Sequence, residues 1–226
     1  MPPIVSIVGK SKSGKTTLIE KLIGELKSRS YRVATVKHTP QNLTFDEPGK
    51  DSWRHTQAGS EATVISSADK VVLIKPISGD FSLEQIAHLL GEDYDIILTE
   101  GFRRGDAPKI EVHRKQVGPP LATVRKLIAI ATDEPLETKT RQFSLEDTKG
   151  LADLLEKGFI KPQMERVSLY VNNAPITLSS FPKQIISNIL LALASSLKGV
   201  KKIKSLDIFL RKSWYIFSSS IYFWTW

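Results

Sequence analysis

The chain has 226 residues, 41% of them apolar and 25% charged, which excludes a disordered protein and leaves room for one α/β domain with an appendage. It has no cysteine, which excludes disulfides and cysteine-ligated metal or redox sites. The net charge of +8 is uneven: residues 1–160 carry 23 Lys+Arg against 22 Asp+Glu, and residues 161–226 carry 9 against 2, so the core is not expected to bind nucleic acid.

Ile4-Val5-Ser6-Ile7-Val8 is a short apolar, β-branched run and predicts a buried strand. Gly9-Lys10-Ser11-Lys12-Ser13-Gly14-Lys15-Thr16 follows, and from Thr17 to Lys27 the residues Ile19, Leu22, Ile23 and Leu26 recur at helical spacing. A G-x-x-x-x-G-K-T run between a strand and a helix predicts a phosphate-binding loop (P-loop). Gly9 and Gly14 let the backbone turn so that successive N–H groups point at phosphate oxygens, and the helix start adds its positive dipole end. Lys12, Ser13 and Thr17 are expected at the nucleotide as well. Lys15 is expected to reach the β- and γ-phosphates, and the Thr16 hydroxyl to bind Mg²⁺. The motif makes the chain a binder of nucleoside triphosphate.

Arg32 to Lys37 predicts a second strand, and His38 to Lys50 a long polar loop punctuated by Pro40, Asn42, Pro48 and Gly49. Loops of this length inside a domain are commonly functional. Asp51-Ser52 reads as the cap of a helix from Trp53 to Ala58, ending at Gly59. Ala62 to Ser66 and Lys70 to Lys75 are two short β-rich runs. Ser82 caps a helix through Leu90, and Asp95 to Thr99 is a buried strand followed by Glu100-Gly101. Lys109 to His113 and Leu127 to Ala131 are further strands, and Leu145 to Lys157 a helix. Strands alternating with helices predict an α/β fold, with a mainly parallel sheet flanked by helices. Ligands of such sheets bind beyond the carboxyl ends of strands. Gly9, Lys37 with the loop after it, Glu100 and Asp133 all lie there and are expected to converge.

A triphosphatase needs a carboxylate near Mg²⁺. Asp95 and Glu100 bracket one strand, about 17 Å apart, so one metal cannot touch both. Glu100, at the carboxyl end, is the expected metal-side acid, and Asp95 is expected to be structural. Asp46 in the long loop is a candidate for holding a water or the metal's outer shell. Lys15, Asp46 and Glu100 are thus the candidate catalytic set, with Thr16 and Glu100 for the metal. Arg103 and Arg104 are placed to neutralise phosphate or a second anionic ligand, or stand as exposed loop charges. His38, His55, His88 and His113 show no zinc-site spacing.

From Lys161 the pattern changes. Val167 to Val171 alternates like a strand, Asn172-Asn173 offers a turn into Pro175 to Leu178, and Phe181 to Leu197 carries Ile185, Ile189, Leu193 and Leu197 on one stripe. With a last strand at Leu206 to Leu210, residues 161–212 predict a small ββαβ module that docks between subunits or on a partner protein, after a nucleotide domain over residues 1–160. Residues 213–226 include seven aromatics and no charge. An interface or membrane-surface anchor, a packed edge strand, or sequence foreign to the domain all fit this tail. No run approaches the ~20 apolar residues of a membrane span, and the N-terminus lacks a basic-then-apolar leader. A soluble cytoplasmic protein is expected.

Val36-Lys37-His38, the stretch from Asp46 through Pro48-Gly49-Lys50-Asp51-Ser52-Trp53-Arg54-His55 to Ala58-Gly59, and Thr99-Glu100-Gly101-Phe102 resemble the MobB family, the molybdopterin-guanine dinucleotide biosynthesis adaptor proteins. The resemblance covers residues 1–157. It implies a GTP-binding protein of the signal-recognition and metal-insertion branch of P-loop GTPases, a homodimer using GTP and Mg²⁺. Such a protein assists the guanylyltransferase that joins GMP to molybdopterin, with contact to molybdopterin itself within the implied set. Lys15 and Thr16 would then serve phosphate and Mg²⁺, Glu100 the metal, and Asp46, Asp51 and Ser52 the loop facing the nucleotide. Asp133 stands where a guanine-reading acid belongs, although Ala131-Thr132-Asp133 replaces the Asn-Lys-x-Asp guanine motif. The rival readings are a small-molecule kinase, a metal-insertion GTPase for another metalloenzyme, and a scaffold whose hydrolysis is incidental.

Overall fold

Buried apolar alternation builds the sheet of this computed structural model, which describes residues 1–39, 46–77, 79, 81–163, 167–172 and 174–208. The elements in chain order are β1 (Ile4–Val8), α1 (Lys15–Ser28), β2 (Val33–Lys37), α2 (Asp51–Gln57), β3 (Thr63–Ser66), β4 (Val71–Ile74), α3 (Leu83–Leu90), β5 (Ile96–Glu100), β6 (Lys109–Val112), β7 (Leu127–Thr132), β8 (Gln142–Ser144) and α4 (Thr148–Leu155). After them come β9 (Leu169–Val171), β10 (Ala174–Ile176) and α5 (Ser180–Ser195). The six-stranded sheet has the order β2-β5-β1-β6-β7-β8, and all its neighbours run parallel. The expected parallel α/β sheet is therefore present. Its register sets Ile7 beside Glu100 and Glu100 beside Lys37, bringing the carboxyl ends of β1, β5 and β2 level.

The two faces of the sheet differ. On one, Val5, Ile7, Ile96, Leu98, Ile110 and Val112 pack with Leu18, Leu22 and Leu26 of α1 and Leu151 and Leu155 of α4. Each of these aliphatics contributes about 1.5–3 kcal/mol of burial, before the entropy of ordering it. On the other face Ala34 and Ile97 meet Ala87 of α3. Beside that patch the alternating positions are polar yet buried: Ser6, Thr99, Lys109 and Glu111. Among the described residues their partners are neighbouring side chains and coil backbone. Thr99 donates to the Ser6 hydroxyl at 2.8 Å. Lys109 Nζ donates to the carbonyls of Gly105 and Ala107 at 2.5 and 2.8 Å, and Glu111 accepts the Leu121 N–H at 2.7 Å. Burial pushes the Lys109 ammonium pKa down, and these bonds offset its desolvation.

The helix expected over Leu145–Lys157 begins later, at Thr148, with Asp147 capping the Gly150 N–H. It then widens into a π-turn over Glu156–Ile160. One extra residue per turn lets Leu155 and Ile160, five apart, share the core face. The same turn aims Glu156 at α1. Its carboxylate accepts from Lys161 Nζ at 2.8 Å, from Arg29 at 2.6 Å and from Tyr31 at 3.1 Å, while Arg29 also binds Glu25 and Asp153. The Lys161 bond first, then those of Arg29 and Tyr31, push the Glu156 pKa down to about 2. A depressed carboxylate stabilises the fold fully above its unfolded pKa, near 4.5, and loses that contribution as pH falls through about 2. Glu156→Gln should therefore lower the thermal midpoint at pH 7, and the gap to the parent should narrow steadily as melts are repeated from about pH 5 down to pH 2.5. A gap independent of pH would assign Glu156 a packing role instead.

The chain divides into two compact units, Met1–Arg166 and Val167–Trp226, a division beyond the expected boundary at residue 160. Ile160 in the first core and Lys161 on Glu156 show why the first unit runs on. In that unit β3 and β4 pair antiparallel as a separate hairpin, outside the main sheet. The second unit contains the β9–β10 hairpin and α5, whose Ile185, Ile189 and Leu193 are exposed, as is Leu197 just beyond it, where the expected helix has already ended. The last predicted strand is not found over Leu206–Ile208, while Phe209, Leu210, the turn residue Asn173, Pro40, Asn42 and the aromatic tail lie outside the described residues.

Candidate nucleotide-binding site

β1 ends at Val8 and the chain turns through Gly9 at φ 152. A Cβ on Gly9 would stand 2.5 Å from the Val112 carbonyl oxygen and 2.7 Å from Ser13 Oγ, so only glycine fits between β6 and the loop. Lys12 and Gly14 take left-handed backbone at φ 63 and 96, which curls the loop so that α1 starts at Lys15. Ser13 is buried, and its hydroxyl has no partner among the described residues. A buried hydroxyl without a partner inside such a loop suits a phosphate oxygen or a water bound with it. Lys15 Nζ donates to the Lys10 carbonyl at 2.8 Å, which holds the ammonium along the loop. Thr16 and Thr17 are exposed at the first turn of α1.

Thr16 Oγ1 donates to Glu100 Oε2 at 3.0 Å, joining two residues 84 apart in sequence. Lys37 Nζ lies 3.7 Å from the same carboxylate oxygen. The register of β1, β5 and β2 sets up this meeting, since Glu100 and Lys37 end adjacent strands and the loop after β1 carries Thr16 to the same edge. Asp95 sits at the opposite end of β5, where its carboxylate accepts the Arg32 N–H at 2.7 Å. Among the described residues no three His, Cys, Asp or Glu side chains gather as an all-protein metal cage. One hydroxyl at the start of α1 and one carboxylate at the end of β5 fit Mg²⁺, which keeps several waters and shares substrate phosphates.

Asp46 accepts from Ser52 Oγ at 2.7 Å, and its second carboxylate oxygen is buried without a partner among the described residues. This fixes Asp46 to the start of α2, and no described contact joins it to Glu100. Asp133, just past β7, accepts the Lys115 N–H at 2.9 Å. Beside it His113 and Glu134 meet at 3.0 Å, and Lys115 Nζ lies 3.5 Å from Glu134. Arg114 had no motif to flag it. Its Nε donates to the Ser13 carbonyl at 3.0 Å, and its guanidinium would lie 3.3 Å from a Cβ on Gly14. The segment after β6 thus braces the phosphate loop, a contact made by register and not by any local pattern.

The family model for molybdopterin guanine dinucleotide synthesis protein B, MobB, matches residues 4–133, more than half of the chain. The chain belongs to the MobB family. Among curated MobB relatives, the molybdopterin-guanine dinucleotide biosynthesis adapter protein of Haemophilus influenzae is 37% identical over 68% of this chain and 88% of its own length. The Escherichia coli protein of the same description is 34% identical over 69% and 92%. A crystal structure of molybdopterin-guanine biosynthesis protein B superposes with TM-score 0.54 at 29% identity, covering 68% of this chain and 98% of that one. Bacillus subtilis MobB superposes with TM-score 0.54 at 25% identity, over 70% and 98%. The fold is thus the MobB fold, and no helix among the described residues is long and apolar enough to cross a membrane.

Proposed function

We propose that the chain is a cytoplasmic GTP-binding adaptor with slow GTPase activity that assists the guanylyltransferase attaching GMP to molybdopterin. The family membership supports the pathway, since the relatives' names state an adapter role in molybdopterin-guanine dinucleotide biosynthesis. The observation that carries the nucleotide reading is the Thr16–Glu100 contact at the mouth of the Gly9–Thr16 loop. In this reading the loop N–H groups and Lys15 hold the β- and γ-phosphates, and Lys12, Ser13 and Thr17 line them. Mg²⁺ would be held by Thr16, with Glu100 directly or through water, and would supply charge neutralisation between the β- and γ-phosphate oxygens. Asp133 and the segment from Arg114 stand where the base is read, with one Asp133 oxygen already on the Lys115 N–H. Lys37 flanks the Glu100 carboxylate at 3.7 Å, on the side away from β1. Asp46, tied to the Ser52 hydroxyl at the start of α2, would hold a water or the metal's outer shell.

Hydrolysis tests this reading. Glu100→Gln should lower Mg²⁺-dependent single-turnover GTP hydrolysis by at least about tenfold, because an amide replaces a charged metal-side oxygen, and leave Mg²⁺-free GTP affinity within about twofold. Asp95→Asn, at the other strand end, should leave the metal dependence unchanged. The reverse pattern would remove Glu100 from the metal.

The functional unit in this reading is a homodimer. The β3–β4 hairpin supports it: Val64, Val71 and Leu73 share one open face and are 59%, 67% and 46% exposed. An isolated two-stranded hairpin presenting aliphatic side chains is a surface that a second copy can cover. Molybdopterin and the guanylyltransferase are the proposed partners at the nucleotide edge.

A further inference from the structure

A second basic cluster lies over the polar face of the sheet. The segment after Glu100 crosses the polar face of the sheet and re-enters it at Lys109, the first residue of β6. Residues 121–126 lead into the neighbouring strand β7, with Lys109 paired to Leu127. The two segments thus run side by side over the polar face and enter the amino ends of β6 and β7, whereas the Gly9–Thr16 loop follows the carboxyl end of β1. Between them lies a cavity of about 490 Å³ lined by Arg103, Arg104, Thr123 and Arg125.

The cavity is held by a fixed frame. Beneath it the buried Lys109 ammonium clamps the carbonyls of Gly105 and Ala107, and the Gly105 N–H closes a turn onto the Phe102 carbonyl at 3.1 Å. Arg103 donates to the Thr123 carbonyl at 3.3 Å, tying one wall to the other. Two non-glycine residues with left-handed backbone flank the arginines: Phe102 at φ 54 directly before Arg103, and Lys126 at φ 54 directly after Arg125. Such backbone is costly and persists only where its surroundings fix it.

Charge at this frame is unbalanced. Residues 101–109 and 121–127 hold five cationic side chains and one carboxylate, Asp106. Asp106 lies 3.5 Å from Arg125 and 3.9 Å from Lys126, while Arg104 makes no ion pair or hydrogen bond among the described residues. Three guanidiniums around one opening offer forked donors to a tetrahedral oxyanion, and a dianion matches the excess charge better than a carboxylate does.

We propose that this cavity binds a dianionic phosphomonoester belonging to a ligand other than the nucleotide of the phosphate loop. Arg104 and Arg125 supply the principal donors, Arg103 shapes the wall, and Asp106 competes with the anion for Arg125.

Phenyl phosphate is a suitable probe, titrated calorimetrically into the full chain at moderate salt. Saturable binding should persist in Lys15→Ala with affinity within about threefold of the parent, since the phosphate loop is not the site. Arg104→Gln and Arg125→Gln should each weaken it by about tenfold, the value of one charge-assisted donor pair. Asp106→Asn should tighten it by about threefold, a gain that a merely structural role for Asp106 would not give. Benzoate, with one negative charge, should bind at least about tenfold more weakly than phenyl phosphate. Binding lost in Lys15→Ala and kept in the arginine variants would place the anion in the phosphate loop and overturn the proposal. So would the absence of saturable binding to the parent, or unchanged affinity in both arginine variants. Because GTP is absent from this titration, failure of the GTPase reading leaves its outcome intact.

Discussion

Lys15→Ala should lower GTP affinity by about a hundredfold and leave the thermal midpoint within a degree or two of the parent. The side chain is half-buried at the start of α1, and its described contact is one hydrogen bond to the Lys10 carbonyl, so the fold loses little without it. The nucleotide loses a charge-assisted contact to its β- and γ-phosphates. A bond of that kind contributes about 1.5–3 kcal/mol, which at 1.4 kcal/mol per decade predicts between one and two orders of magnitude. The loss sits near the upper end because two phosphates share the ammonium. Titration of a fluorescent GTP analogue, paired with a melt of the same sample, separates binding from folding. Unchanged affinity in a folded variant would overturn the phosphate-loop assignment. Gly9→Ala makes the useful contrast: its Cβ would collide with the Val112 carbonyl, so it should depress both affinity and midpoint.

What the sequence revealed and what it hid follow a physical division. The tight Gly9–Thr16 turn between β1 and α1 was legible because its signal is local: glycines at fixed offsets between an apolar strand and an amphipathic helix. The position of Glu100 level with the end of β1 was legible because strands in a parallel sheet end together, and the observed Ile7–Glu100–Lys37 register is that rule at work. The order β2-β5-β1-β6-β7-β8 and the brace from Arg114 to the Ser13 carbonyl were not legible, because which strand lies beside β1 is decided by tertiary packing. The strand Lys109–Val112 shows the same limit from the other side. Its alternation reads as apolar in and polar out, yet Lys109 and Glu111 are buried, because coil segments cover that face and need side-chain partners for their backbone. β8 escaped notice as a three-residue edge strand. The π-turn escaped because sequence periodicity assumes 3.6 residues per turn, and Leu155 and Ile160 obey a wider one.

A double substitution, Val71→Glu with Leu73→Glu, should turn a dimer into a monomer at micromolar concentrations. These residues and Val64 occupy one face of the β3–β4 hairpin, with Val64 paired to Leu73 and Ser66 to Val71. The opposite face is partly covered, since Thr63 there is buried and its hydroxyl lies 3.5 Å from that of Thr56 in α2. The open face is therefore the one left for a second copy. Covering three half-exposed aliphatics on each of two chains contributes on the order of 5 kcal/mol, a large share of a micromolar dimer's affinity. Two carboxylates per chain in that contact would remove the gain and add the cost of burying unpaired charge. Light scattering should report twice the 25.2 kDa chain mass for the parent and the single mass for the variant, with GTP affinity unchanged. Leu193→Glu on the exposed face of α5 serves as the comparison, because that helix belongs to the second unit. Dissociation by Leu193→Glu and not by the hairpin variant would move the interface to the C-terminal module. A parent that scatters as a monomer across the concentration range would end the homodimer reading altogether.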